Sequence, residues 1–131
     1  MILLDTHVWV WWVSDPSRLS ARARRAVDRA AGDEQVYVSC ISTWEVALLV
    51  ARRRLVLTMD VGDWVARSEA LPFLHFVPVD NAIALRSASL PGSLHADPAD
   101  RIIVATALLL GGPLATRDRR LRTYPHVKTV W

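Results

Sequence analysis

Four of the thirteen acidic residues fall where α/β proteins do chemistry. Asp5 follows the apolar run MILL, Glu45 lies behind VYVSCIST and Asp118 follows PLATR, so each comes just after a segment with the character of a buried strand. Asp100, within HADPADRIIVATA, comes just before a long apolar run with the character of a helix. In an open α/β sheet the strand-to-helix junctions line up along one edge, and sites form there. Carboxylates distant in sequence would converge at that edge, and like charges in one pocket repel unless a cation binds among them. Oxygen ligands, without a Cys or His cluster of zinc spacing, point to Mg²⁺ or Mn²⁺. Such an ion in a basic protein suits phosphodiester chemistry on nucleic acid.

Each acid also has a purely structural explanation. Ser42-Thr43-Trp44-Glu45 has the spacing of a capping box, which would make Glu45 the third residue of its helix. Asp97 before Pro98 reads as an N-cap with proline at the first helical position, which puts Asp100 in the first turn. Asp5 and Asp118 would start helices in the same way. An acid in a first turn gains about 0.3–1 kcal/mol from the helix dipole, so a cap alone explains each one singly. Their conjunction does not reduce to caps. Asp5 ends what reads as a central buried strand, where an unpaired carboxylate is costly. A central first strand brings the ends of strands one and four together, so Asp5, Asp100 and Asp118 would share a crevice that Glu45 enters from the helix after strand two.

The neighbours of these acids suggest supporting roles. Thr6 and Thr116 carry hydroxyls beside Asp5 and Asp118, suited to hydrogen bonds that orient a carboxylate. Arg101 stands four residues after Asp97 and is expected to pair with it, orienting Asp100 between them. Arg101 and Arg117 are also placed to contact phosphates. His7, His75, His95 and His126 are scattered, and His95 reads as a loop or capping residue, with a substrate contact as the other reading.

The elements that must position these residues alternate. Strands are expected over Met1–Leu4, Val36–Ser39, Phe76–Val79, Leu114–Thr116 and Val127–Val130. Val8–Val13 reads as a short helix or turn, and helices are expected over Ala21–Ala31, Ser42–Arg53, from Asp60 or Val61 to Leu71, from the Asp80 cap to Ala88, over Pro98–Leu110 and over Arg119–Tyr124. Gly111-Gly112-Pro113 stops the longest helix. Short strands alternating with helices predict an α/β/α three-layer sandwich around a short parallel sheet of about five strands. With 131 residues, no repeat and no linker, the chain reads as a single domain over 1–131.

Composition narrows the function classes. A chain that is 52% hydrophobic and 22% charged is not a disordered tail, and no apolar run approaches the roughly 18–20 residues that span a bilayer. Asp5 interrupts the only apolar start and no basic region precedes it, which argues against a secretory signal. The lone cysteine, Cys40, fits a reducing cytoplasm and reads as core packing. The net charge is +3, and all sixteen basic residues but Lys128 are arginine. Arginine suits phosphate, although a GC-rich genome accounts for the same bias. Six tryptophans, at 9, 11, 12, 44, 64 and 131, exceed what a core this size needs and leave some for a partner groove or dimer face.

Four segments, LLDTHVWVWW, ISTWEVALL, LPGSLHADPADRIIVATAL and LATRDRRLRTYPHVKTVW, resemble the PIN-domain ribonucleases, and more narrowly the VapC-type toxins of bacterial toxin–antitoxin pairs. The likeness runs along nearly the whole chain. It implies a Mg²⁺- or Mn²⁺-dependent endoribonuclease, a cognate antitoxin covering the active site, and commonly a toxin homodimer or a larger toxin–antitoxin assembly. By position, Asp5 matches the family's first metal ligand, Glu45 the second acid, Asp100 the third and Asp118 the more variable fourth. The family's third acid precedes an apolar-apolar-Ala-Ala/Thr run, here IVAT, which selects Asp100 over Asp97. The implied mechanism is metal-assisted phosphodiester hydrolysis of structured RNA with an exposed single-stranded loop. Rivals fit less well. A receiver domain needs an acidic pair near strand one and a lysine ending strand five, but Lys128 lies inside VKTV. A haloacid-dehalogenase-like phosphatase needs Asp where His7 stands. A catalytically silent module of the same fold would bind RNA or protein without cleavage.

Overall fold

A computed structural model describes residues 1–131. Its centre is a parallel sheet of five strands, β1 (Ile2–Leu4), β2 (Val36–Ser39), β3 (Leu74–Val77), β4 (Leu114–Ala115) and β5 (Thr129–Val130), in the order β3-β2-β1-β4-β5. Seven helices cover it: α1 (Thr6–Ser14), α2 (Ala21–Gly32), α3 (Cys40–Ala51), α4 (Val61–Glu69), α5 (Asn81–Ala88), α6 (Pro98–Leu110) and α7 (Arg119–Arg122). The result is the three-layer α/β/α sandwich that the alternation predicts.

The period of two along β1 divides the core. Ile2 and Leu4 face one side, with Trp9 of α1, Val27 of α2, Val46 of α3 and Trp64 of α4; Leu3 faces the other, with Ile83 of α5, Ile103 of α6 and Leu121 of α7. All three β1 residues are buried, because helices cover both faces of a parallel sheet. Leu3 pairs with Tyr37 and with Leu114, so β1 is central. Its end therefore lies beside the ends of β2 and β4, and the Asp5 N–H donates to the Ala115 carbonyl at 3.0 Å.

Four expected elements begin elsewhere: α1 starts at Thr6 rather than Val8 because Asp5 caps it, and β5 starts at Thr129 rather than Val127, where its pairing with Leu114 begins. Helix α3 starts directly from β2 at Cys40, with Ser39 as N-cap accepting from the Ile41 N–H through its hydroxyl oxygen, so the Ser42–Glu45 capping box does not form. Glu45 lies in the second turn instead, and its carboxylate is free for tertiary contacts. Strand β3 starts at Leu74, two residues earlier than expected, because its pairing follows the register of β2, with Val36 opposite Leu74. Cys40, expected in the core, is only half-buried at the start of α3.

Trp9 is wholly buried, against Trp64 at a ring separation of 4.7 Å and edge-on to Phe76 at 5.3 Å, yet its indole N–H has no hydrogen-bond partner. An unsatisfied buried donor costs about 1–3 kcal/mol, comparable to the small cavity left by a smaller ring. Trp9→Phe is therefore expected to change unfolding free energy by no more than about 1 kcal/mol. A loss of about 3 kcal/mol or more in urea melts would show that the indole itself is required.

Candidate active site

The topology places all four predicted acids around one open cleft of about 500 Å³, lined by Asp5, Glu45, Asp97, Asp100 and Asp118 together with Thr6, His7, Trp11, Arg117 and Arg120. Each acid arrives on a different element. Asp5 is the N-cap of α1 at the end of the central strand, Glu45 projects from α3, Asp100 lies in the first turn of α6 and Asp118 caps α7. Asp97 is the N-cap of α6 and accepts from the Asp100 N–H at 3.0 Å, which fixes the turn that presents Asp100.

Asp5 is the most enclosed of the group, at 9% exposure. One carboxylate oxygen accepts from the Thr6 N–H at 2.8 Å and the other from Thr116 Oγ1 at 2.6 Å. Burial nevertheless holds its pKa above the usual carboxylate range; the Thr116 hydrogen bond opposes this and the Asp100 charge adds to it. Thr116 also accepts from the Asp118 N–H at 3.0 Å, so one hydroxyl ties the ends of β1 and β4 together. Thr6 reaches across the cleft to Glu45, with 2.6 Å between Oγ1 and Oε1, and lies 2.8 Å from Ser42 Oγ. Thr6 has one proton to give, so the carboxylate receives it and Ser42 donates to Thr6. The expected threonine–carboxylate hydrogen bonds thus form, but across elements rather than between neighbours in sequence. Burial first, then repulsion from Asp5 and Asp100, pushes Glu45 up to about 7 against the Thr6 hydrogen bond.

The other two acids are held from outside the predicted set. His95 Nε2 donates to Asp100 Oδ2 at 2.6 Å. Asp100 remains raised, by burial first, despite that bond. Arg120 Nη2 lies 3.1 Å from Asp118 Oδ2 and 3.6 Å from Asp100 Oδ2, bridging both. Burial would raise Asp118, but its side-chain and backbone hydrogen bonds from Arg120 outweigh it and the pKa is lowered.

Arg101 does not pair with Asp97. Its Nε donates to the Ser87 carbonyl at 2.9 Å and Nη1 to the Leu94 carbonyl at 3.1 Å. Carbonyls at the end of α5 and in the following loop need donors, and Arg101 satisfies them, steadying the loop that carries His95. That loop is also tied down by Tyr124, whose hydroxyl donates to the Pro91 carbonyl. Arg117 does line the cleft, where its guanidinium lies 5.9 Å from the Trp11 ring centre. His7, Trp11, Arg120 and the His95–Asp100 contact were not legible. Only the closeness of Arg120 to Asp118 in RDRR was a usable signal.

The donor set is all oxygen, with three carboxylates raised by burial or mutual repulsion, which suits a hard divalent cation. No three His, Cys, Asp or Glu side chains converge closely enough to enclose an ion as they stand. Each carboxylate is turned to its own partner: Asp5 to Thr116, Glu45 to Thr6, Asp100 to His95 and Asp118 to Arg120. Binding would exchange some of these partners for the cation.

Thr116 is a direct test of that scaffold. Thr116→Val keeps the shape but strips a donor from Asp5 and an acceptor from the Asp118 N–H. It is expected to destabilise by about 1–3 kcal/mol and to weaken Mn²⁺ binding by about tenfold or more, while Thr116→Ser restores both. Thermal melts and calorimetric Mn²⁺ titration check this; a valine variant that binds Mn²⁺ as tightly as wild type overturns it.

Comparison with known proteins identifies the family. The PIN domain family model matches residues 2–127. The chain is 38% identical over 132 aligned positions to Ribonuclease VapC22 of Mycobacterium tuberculosis, covering 99% of this chain and 98% of that one. Among solved structures it is similar to FitAcB from Neisseria gonorrhoeae, at 27% identity and TM-score 0.64, over 98% of this chain and 96% of that one. It also shares its fold with a toxin–antitoxin complex from Klebsiella pneumoniae, at 24% identity and TM-score 0.64, over 97% and 95% of the two chains. The family match over residues 2–127 and the 38% identity along nearly the whole of Ribonuclease VapC22 show that the chain belongs to the PIN-domain family, in its VapC-type branch.

Proposed function

We propose that this chain is a divalent-metal-dependent endoribonuclease acting as the toxin of a type II toxin–antitoxin pair. The observation that carries the reading is Asp5, a carboxylate buried at the end of the central strand in a cleft shared with Glu45, Asp100 and Asp118. A fold does not keep such a group merely as a cap, because an asparagine or serine would cap α1 without the burial penalty. Asp5, Asp100 and Asp118, with Glu45, would hold Mg²⁺ or Mn²⁺. The bound cation would supply Lewis-acid polarisation of the scissile phosphate and a lowered pKa for attacking water.

The chain's own residues set the rest. Thr6 holds the Glu45 carboxylate where it can orient the attacking water and take its proton. Thr116 fixes Asp5, and His95 fixes Asp100. Arg120 and Arg117 at the cleft rim would meet the phosphate, with Arg120 exchanging its carboxylates for phosphate oxygens. The open cleft suits a single-stranded loop of a structured RNA, restraining translation and growth when cut. An antitoxin would silence the enzyme by covering the cleft. Trp44, beside Glu45 and 55% exposed, belongs to a surface that the antitoxin or a second copy of the chain would cover in a homodimer. No helix is long and apolar enough to cross a membrane, and the reading places the protein in the cytoplasm.

The test is induced expression of wild type and Asp100→Asn, with mapping of new RNA 5′ ends. Discrete 5′-phosphate ends from wild type alone are the expected result. The same ends from both proteins, or from neither, would return the chain to a silent binding module.

A further inference from the structure

Outside the carboxylate cleft, a second groove of about 390 Å³ is lined by Arg22, Arg119, Arg122, Thr123, Thr129 and Trp131. None of its three arginines lies within ion-pair distance of a carboxylate, whereas Arg24 and Arg120 do. All three are exposed. Unpaired arginines from α2 and α7 held beside one another repel, so this groove favours an anion where the neighbouring cleft favours a cation.

The two clefts are joined by aromatic rings. Trp11 lines the carboxylate cleft and Trp131 lines the arginine groove, and the rings touch, with centroids 6.1 Å apart and planes inclined at 56°. Two further arginines crowd the junction: the Arg18 guanidinium lies 4.7 Å from the Trp11 centroid and that of Arg117 5.9 Å away. Neither has an ion-pair partner. The surface thus runs without a break from acids, through arginine-flanked indoles, to a cluster of arginines and threonine hydroxyls. Indoles interleaved with guanidinium groups match a chain of alternating planar bases and phosphates; Trp131 lines the groove, and a base reaches Trp11 by displacing the guanidinium groups over it. An acidic peptide would use the arginines but has no planar groups for the tryptophans.

We propose that single-stranded RNA leaves the carboxylate cleft across Trp11 and Trp131, with its phosphates held in the groove of Arg22, Arg119 and Arg122. This belt holds the substrate beside the scissile bond and explains how a cleft lined by five carboxylates retains a polyanion. It rests on the reading of the cleft as an RNA-cleaving site.

Binding measured in EDTA, where divalent-dependent cleavage cannot occur, separates the two. Fluorescence anisotropy of a labelled oligouridylate would be followed across a range of NaCl concentrations. Arg119→Glu/Arg122→Glu is expected to bind at least about tenfold more weakly, with the log–log salt slope reduced by about 1.4 as two phosphate contacts are lost. Trp131→Ala is expected to lose about tenfold and Trp131→Phe to recover most of it, because stacking needs a ring rather than an indole. Arg54→Glu/Arg86→Glu, two exposed arginines lining neither cleft, should stay within about twofold of wild type. Equal losses from both double variants would reduce the belt to overall charge, and wild-type affinity in the groove variants would overturn it. The second outcome would leave the groove to an acidic protein segment. RNA binding that maps to the belt supports it even if added Mg²⁺ produces no cleavage; that result would defeat the nuclease reading instead.

Discussion

Asp5→Asn is expected to lower Mg²⁺-dependent RNA cleavage by at least about a hundredfold while making the metal-free protein more stable. Metal catalysis is worth several kcal/mol and each 1.36 kcal/mol is tenfold in rate, which sets the scale of the loss. The gain in stability comes from the same carboxylate. Asparagine retains an oxygen for the Thr6 N–H and can donate its amide to Thr116, so the cap survives. The charge, whose burial holds the Asp5 pKa up, is gone. In EDTA a rise in melting temperature of a few degrees corresponds to about 1 kcal/mol for a domain of this size. Wild type should be further stabilised on adding Mg²⁺, by mass action on the native state alone, and the variant should not. Sites selected for binding are commonly kept at a cost to stability, and the opposite signs of these two effects reveal it. A variant that cleaves normally, or that melts several degrees below wild type in EDTA, would make Asp5 a structural cap.

The acids were legible because their signal is local: an apolar run, then a carboxylate. Asp5 and Asp118 follow short strands whose pairing needs only the parallel order, and Asp97-Pro98 announces the helix that places Asp100. Glu45 stands out in the sequence for an incomplete reason. The sequence offered a capping box, but the direct passage from β2 into α3 moves the cap to Ser39 and leaves Glu45 to reach Thr6 across the cleft. What escaped the sequence is whatever depends on rotamer choice across elements. Arg101 had an acid four residues back and turned to two carbonyls instead, because backbone acceptors at the end of α5 had no other donor. His95 lies five residues before Asp100, outside any helical spacing rule, and meets it only because the loop after α5 folds back along α6. The contact of Trp11 with Trp131 links the two ends of the sequence. No spacing could have indicated it.

Metal-free stability should fall as pH rises from about 5 to about 8, and Glu45→Gln should remove much of that slope. The Glu45 pKa is about 7 in the folded chain against an ordinary 4.5. Below pH 4.5 the group is protonated in both states and contributes nothing to the pH dependence. Between 4.5 and 7 the native state holds a proton that the unfolded chain has released, so unfolding releases it and stability declines with rising pH. Above 7 the group is ionised in both states and the full cost of its burial is felt. The rise from 4.5 to about 7 corresponds to about 3 kcal/mol, and solvent reaching this half-buried group reduces that to roughly 1–2. Glutamine keeps the Thr6 acceptor without the charge, so the variant should be the more stable protein at pH 8 and no more stable at pH 4. Saturating Mg²⁺ should flatten the wild-type slope, because a bound cation favours the ionised carboxylates and its affinity falls as they protonate. Urea melts at pH 5, 6.5 and 8, with EDTA or Mg²⁺, separate these effects. If wild type in EDTA gains stability steadily from pH 5 to 8, Glu45 is not the buried, repelled carboxylate that its contacts with Thr6, Asp5 and Asp100 make it.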